Sequence, residues 1–231
     1  MELGDFLEVS VATEDILRSY DFYLGLGFTG IEGSDVLGYR YGVVSDGTVA
    51  IGLHATDAPP LALTFVRDNL ARHVGTLEAL GLAPEDVQLG DHVFNRLSFP
   101  GPGIALRLVE ARTYSPVGQV GESLLGRFDE LRLPAHDPQE SSGFFVNLGF
   151  AGTEEGDDCT VACGGLTVRL PLAGGLKRPA LQFATRDVAD LARRLERGGY
   201  RYRLTREGQS PGPSLELTAP EGTLLRVAVT P

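Results

Sequence analysis

The sequence predicts an α+β protein of four βαβββ modules arranged as two tandem halves, and three observations lead there. The first is an internal repeat. Residues 6–35, FLEVSVATEDILRSYDFYLGLGFTGIEGSD, lie over residues 128–157, FDELRLPAHDPQESSGFFVNLGFAGTEEGD, without a gap at an offset of 122. Phe6/Phe128, Glu8/Glu130, Asp15/Asp137, Phe22/Phe144 and the Leu-Gly-Phe triplets at 26–28 and 148–150 coincide. The second is a later stretch that repeats at an offset of 119, pairing Arg67-Asp68 with Arg186-Asp187, Gly103 with Gly222 and Arg107 with Arg226. The change of offset implies a net loss of three residues, expected where the hairpin YGVVSDGT (41–48) is shortened to CGGLT (163–167). The third is the stretch ARTYSPVGQVGES, whose Pro, Gly and Ser content reads as a linker. The expected division is 1–112, a linker at 113–125, and 126–231, with modules at about 1–56, 59–112, 126–174 and 177–231.

Each element follows from local pattern. FLEVSVA alternates with period two, as a strand with one face buried does. EDILRSYDFYL places Ile16, Tyr20 and Tyr23 on one helical face, and Gly25-Leu26-Gly27 ends it. In the third module Asp137 is the expected N-cap, with Pro138 at the first helical position and Glu140 at the third. Leu70, Val74 and Leu77 mark the second helix and Val188, Leu191 and Leu195 the fourth, closed by Gly81 and Gly198.

Composition bounds the function. With 42% hydrophobic and 22% charged residues and a mean hydropathy near zero, the 231-residue chain falls in the globular range. A net charge of -11 disfavours nucleic acid and anionic membranes as partners. The acidity is concentrated in residues 1–112, with 16 acids against 7 bases, whereas 113–231 carry 15 against 13. No apolar run approaches a membrane span, and neither a basic leader nor an Asn-X-Ser/Thr sequon is present, so a cytoplasmic, reducing setting is expected. Cys159 and Cys163, about 13 Å apart along one strand, are expected to pack rather than bridge.

Several motifs dissolve on inspection. GLGFTG (25–30) matches the dinucleotide fingerprint but follows a helix instead of preceding one, and Asn147 stands where Gly25 would repeat. The basic cluster of the fourth module, from Lys177 to Arg206, reads as a solvated helix face with spacings such as Asp190 to Arg194. Of the four histidines, only His54 stands out, because VAIGLH ends a module and can turn its ring toward a sheet rim.

The two openings EVSVATEDILRSYDFYLGLGF and ELRLPAHDPQESSGFFVNLGF, with the closing strands GIALRL and GTLLRV, resemble the vicinal oxygen chelate superfamily, which contains glyoxalase I, bleomycin-resistance proteins and extradiol dioxygenases. That resemblance covers nearly the whole chain. It implies two half-barrel cups, each made of two modules, with a divalent metal on the inner face held by side chains of the opening and closing strands. Here those places hold Glu8, Ile51, Leu61 and Arg107 in the first cup, and Glu130, Arg169 or Val168, Ala180 and Arg226 in the second. One carboxylate opposed by a guanidinium cannot supply three metal donors, so neither a metal nor another cofactor is expected.

Two ion pairs, Glu8–Arg107 and Glu130–Arg226, are the expected occupants of the metal positions. In the first cup Glu8 is expected to share its face with Ser10 and Ala12, opposite Leu61, Leu63 and Phe65. In the second, Glu130 is expected to stand with Arg132, Gln182, Arg226 and Arg169, a locally cationic lining. The function expected is metal-independent binding of a small anionic or carbonyl-bearing molecule, in the second cup if only one is used. The alternatives are a metal-dependent lyase, isomerase or extradiol-type dioxygenase, and a structural module with filled cups. The chain is expected as a monomer with an internal pseudo-dimer or as a homodimer.

Overall fold

A computed structural model describes residues 2–33, 37–56, 60–115, 122–155, 158–172, 176–205 and 213–229. In the first half the order is β1 (Asp5–Ala12), α1 (Ile16–Gly25), β2 (Thr29–Ile31), β3 (Tyr41–Ser45), β4 (Ala50–His54), β5 (Leu61–Val66), α2 (Leu70–Ala79), β6 (Asp86–Gln88), β7 (Arg96–Gly101) and β8 (Ile104–Val109). The second half repeats it with β9 (Arg127–Arg132), α3 (Pro138–Asn147), β10 (Ala151–Glu155), β11 (Asp158–Cys163), β12 (Leu166–Leu170), β13 (Ala180–Thr185), α4 (Val188–Arg197), β14 (Arg203–Thr205), β15 (Ser214–Thr218) and β16 (Leu224–Val229). Each half forms an eight-stranded mixed sheet, ordered β2-β3-β4-β1-β5-β8-β7-β6 and β10-β11-β12-β9-β13-β16-β15-β14. The opening strands β1 and β9 are therefore central, each between the last strand of its own module and the first strand of the next. Part of the expected linker, residues 116–121, lies outside the described residues.

The helices start where capping chemistry puts them. Asp15, Asp137 and Asp187 accept from the backbone N–H groups of Arg18, Glu140 and Asp190, and Pro138 follows its cap as expected. On α4, Asp190 pairs with Arg193 at 3.1 Å and not with Arg194. No described helix is long and apolar enough to cross a membrane.

One hydrophobic core runs through both halves. It takes Val9, Val11, Ile51, Leu53, Leu63 and Phe65 from one sheet and Leu131, Val168, Leu181 and Phe183 from the other, together with the helix faces. Phe28 meets Phe183 and Phe65 meets Phe150 edge-on across the junction, with centroids 5.9 and 6.0 Å apart. Cys159 is part of this core, and both cysteines are free.

The halves are also joined through Asp46 in the β3–β4 turn. Its Oδ1 accepts from the N–H groups of Thr48 and Val49 at 2.8 and 2.9 Å, and its Oδ2 accepts from the Phe128 N–H of β9 at 2.9 Å. Asp46→Ala would strand three backbone donors at a buried position, so a loss of about 3 kcal/mol is expected, read as a lower urea midpoint at unchanged slope.

Strand registers correct where the halves differ in length. Ile31 pairs with Val43, twelve residues on, whereas Thr153 pairs with Thr160, seven residues on. The first half therefore has five more residues between β2 and β3. The β3–β4 hairpin, expected to shorten, does not: Ser45 pairs with Ala50 and Ala162 with Thr167. A second correction concerns β5 and β13, where Glu8 faces Thr64 and Glu130 faces Gln182, an offset of 118 and not 119. A strand displaced by one residue presents its opposite face, and this moves several expected site residues.

Candidate functional site

The concave face of the first sheet carries Glu8, Ser10, Thr64, His54 and Arg107, and Gly52 stands where the chain passes Glu8. Ile51 and Leu61 are not at the site. Ile51, Leu63 and Phe65 face the helices and belong to the core, because alternation from Thr64 and Gly52 sends their side chains to the other side of the sheet. The helical face, not the cup, is the greasy one at this level.

Glu8 is 1% exposed, and three chains of hydrogen bonds converge on its carboxylate. Ser10 donates to Oε1 at 2.7 Å and itself lies 2.6 Å from Thr64 Oγ1. Tyr41 donates to Oε2 at 2.5 Å and lies 3.1 Å from Thr113 Oγ1. His54 Nε2 lies 2.8 Å from Oε1, and its Nδ1 lies 3.1 Å from the Tyr39 hydroxyl. A carboxylate only accepts, so Nε2 carries the hydrogen, and Nδ1 faces the Tyr39 hydroxyl. Burial, and then the Glu8 charge, push the Tyr41 phenol well above its ordinary pKa, so it stays a donor. Burial likewise raises Tyr39, with the Arg107 and Arg96 charges opposing. Any Cβ at position 52 would strike both carboxylate oxygens of Glu8, which explains the glycine in VAIGLH.

The expected Glu8–Arg107 pair is replaced by this network. Glu8 takes its hydrogen bonds from Ser10, Tyr41 and His54, and none from Arg107. Among the described residues, Arg107 has neither a hydrogen bond nor an ion pair, although it is only 7% exposed. It borders an enclosed hole of about 10 Å³, room for one water-sized group, together with Glu8, Tyr39, His54, Thr64 and Arg96. Leu37 and Tyr39 separate this hole from an open cleft of about 1000 Å³ bounded by the start of α1. Both residues belong to the β2–β3 connection, which is the longer one in the first half.

The second cup is arranged differently. Glu130 accepts from Arg169 Nε at 3.0 Å and from Gln182 Nε2 at 3.1 Å, with Arg132 Nε 3.6 Å away. Arg226, 2% exposed and the expected partner of Glu130, instead donates to Ser214 at 3.2 Å. Arg169 pairs across the strands with Arg132, which places it in the cup, whereas Val168 faces the core. Ala180 lies on the cup face one step from Gln182, but Gln182 is the residue level with Glu130. Burial raises the Glu130 pKa, and the hydrogen bond and charge of Arg169 and the charge of Arg132 counter it. The site residues missed from the sequence alone are Tyr39, Tyr41 and Thr64. His54 was visible only as a strand-end residue; its counterpart is Pro171, since Thr13 and Ala135 bond the carbonyls of His54 and Pro171 alike.

A divalent ion does not suit either donor set. In the first cup Glu8 and His54 are hydrogen-bonded to each other, the next inward positions are Gly52 and Thr64, and Arg107 offers no lone pair. In the second, the one carboxylate is held by two arginines. Among the described residues, no three His, Cys, Asp or Glu side chains cluster in a way that could hold a metal.

No protein-family model matches the chain, and no curated protein matches it. Among solved structures it is similar to a catechol 2,3-dioxygenase, with a TM-score of 0.64 and 14% identity, covering 100% of this chain and 89% of that one. It is similar to a Mn(II)-bound glyoxalase from Novosphingobium aromaticivorans, with a TM-score of 0.65 and 16% identity over 99% of this chain and 82% of that one. The 2,3-dioxygenase LapB from Pseudomonas sp. KL28 gives a TM-score of 0.64 at 16% identity, over 98% and 92%. Sequence identity this low speaks for shared architecture and not for shared chemistry. With two eight-stranded sheets of identical strand order matching these proteins over nearly its full length, the chain has the fold of two tandem glyoxalase-like half-barrel domains.

Proposed function

We propose that this protein binds a small organic molecule bearing a carboxylate or a carbonyl group, that it does so without a divalent ion, and that the first cup receives it. The observation that carries the reading is Arg107, a buried guanidinium without an acceptor among the described residues, beside a hole that Tyr39, His54 and Arg96 also border. A buried cation is costly unless an anion or a set of acceptors compensates it, and a ligand oxygen in the hole supplies one. Arg96, paired with Asp86 at 3.4 Å, adds a second positive charge at the rim. The ligand's head enters beside Arg107, its body lies in the cleft near α1, and the Leu37–Tyr39 wall shifts to admit it. Preference passes from the second cup to the first because the arginines of the second are engaged: Arg169 on Glu130, Arg132 close to Glu130 and Gln182, Arg226 on Ser214.

The test is a titration of the purified full chain, in EDTA, with small 2-oxo, hydroxy and aromatic carboxylates, followed by calorimetry and thermal shift. At least one is expected to bind with unit stoichiometry and to raise the melting temperature. Stoichiometric manganese, iron, nickel or zinc in the purified protein, or binding that EDTA abolishes, would overturn the metal-independent reading.

A further inference from the structure

A cavity of about 490 Å³, lined by residues of both halves, lies at the starts of β5 and β13, within the size range of small-molecule sites. Its walls come from corresponding segments: the start of β5 and the β7–β8 turn on one side, the start of β13 and the β15–β16 turn on the other. Leu61, Ile104, Leu181 and Leu224 make most of it aliphatic, and Pro60 and Pro179 stiffen its edges.

The pseudo-symmetry of this cavity breaks at several places, and one of them matters here. Where the first half has Pro102 the second has Glu221, and where the second has Phe145 the first has Tyr23. The two departures meet: Tyr23, fully buried on α1, donates across the junction to Glu221 Oε1 at 2.8 Å. Glu221 borders the cavity, and its other oxygen, Oε2, is buried without a hydrogen-bond partner. Burial, with the Glu221 charge next, pushes the Tyr23 phenol well above its ordinary pKa, so Tyr23 stays a donor facing a carboxylate. A carboxylate oriented by Tyr23 at the edge of an aliphatic cavity, with Glu85 as a second carboxylate on the lining, in a protein of net charge -11, suits a cationic ligand. The Arg178 guanidinium does not supply it, since it donates to the Gly222 carbonyl and the Thr218 hydroxyl.

We propose that this cavity is a second ligand site, selective for an amine carried on an apolar body, with the ammonium group on Glu221 and the body between the two halves. The site is independent of Arg107 and of the first cup.

The experiment titrates the full chain with n-butylamine, n-hexylamine and n-octylamine, and with hexanol and hexanoate as controls, followed by calorimetry and NMR shifts. Affinity is expected to rise roughly fourfold per added methylene until the cavity is filled, at about 0.8 kcal/mol each. Hexanoate is expected to bind at least tenfold more weakly than hexylamine. Glu221→Gln removes the preference of amine over alcohol, and Leu61→Trp, at a partly buried position on the cavity wall whose side chain leaves the sheet on the face opposite Arg107, blocks all five probes while leaving carboxylate binding in the first cup intact. Equal affinity for hexanoate and hexylamine, or unchanged hexylamine binding by Leu61→Trp, overturns the proposal. Loss of carboxylate binding in the first cup leaves it standing.

Discussion

Arg107→Met is expected to weaken carboxylate binding by at least 100-fold while leaving the fold as stable as before or slightly more so. Binding and stability separate here because of what surrounds the guanidinium. Arg107 gives no hydrogen bond to the described protein, so its removal strands no partner. Methionine retains an unbranched apolar stem in the space the arginine stem fills, and the desolvation cost of a buried charge disappears. Glu8 does not depend on it, since Ser10, Tyr41 and His54 already satisfy its oxygens. The expected stability change is within about 1 kcal/mol, because no buried group is left unsatisfied. Two charge-assisted hydrogen bonds to a ligand carboxylate, at about 1.5 to 3 kcal/mol each, correspond to the expected loss of affinity or more. Urea denaturation and calorimetry on the same preparation check both halves of the statement. Retained affinity together with a stability loss above about 3 kcal/mol would make Arg107 a structural residue and remove the basis for placing the ligand there.

Glu8→Ala is expected to have the largest effect on stability, a loss of about 3 to 5 kcal/mol, because it removes the one acceptor on which three donor chains end. Tyr41 and His54 would be left with a buried O–H and a buried N–H without an acceptor. Glu8→Gln is the informative companion. Its amide oxygen replaces one carboxylate oxygen, but its NH₂ group must then face a donor, either Tyr41 on one side or Ser10 and His54 on the other. A loss intermediate between wild type and Glu8→Ala is therefore expected. If Glu8→Gln is as stable as wild type, the convergence of donors on a carboxylate is wrong.

Much of the architecture was legible in the chain. The repeat at 122 residues, the alternation in FLEVSVA and the capping sequence at Asp137 each depend on near neighbours, and local stereochemistry carries them. The resemblance placed Glu8, Glu130, Arg107 and Arg226, with Arg169 or Val168, on the cup faces, and alternation within single strands added Arg132 and Gln182. Errors entered wherever a conclusion required aligning one strand with another. An offset of 119, true for Arg107/Arg226, was one residue too long from β5 through α2, where Asn69 and Asp187 are the equivalent N-caps, and with a side-chain period of two it put Leu61 and Leu63 in the places of Ala62 and Thr64. The pairing of each carboxylate was likewise beyond reach, because Glu8 lies 33 residues from Tyr41 and 46 from His54.

By itself, then, the sequence determined two tandem halves of two βαβββ modules and a carboxylate on the opening strand of each half. Only the tertiary structure decided which groups those carboxylates meet. Strand register brought His54 and Tyr41 onto Glu8, and Arg169 and Gln182 onto Glu130, so that Arg107 was left without a partner among the described residues, beside a small hole. A five-residue difference in one connection added Leu37 and Tyr39 as the wall of the first cup. The physical reason is one of range: backbone propensity and side-chain alternation act over a few residues, whereas hydrogen bonds and ion pairs are settled by which strands lie side by side.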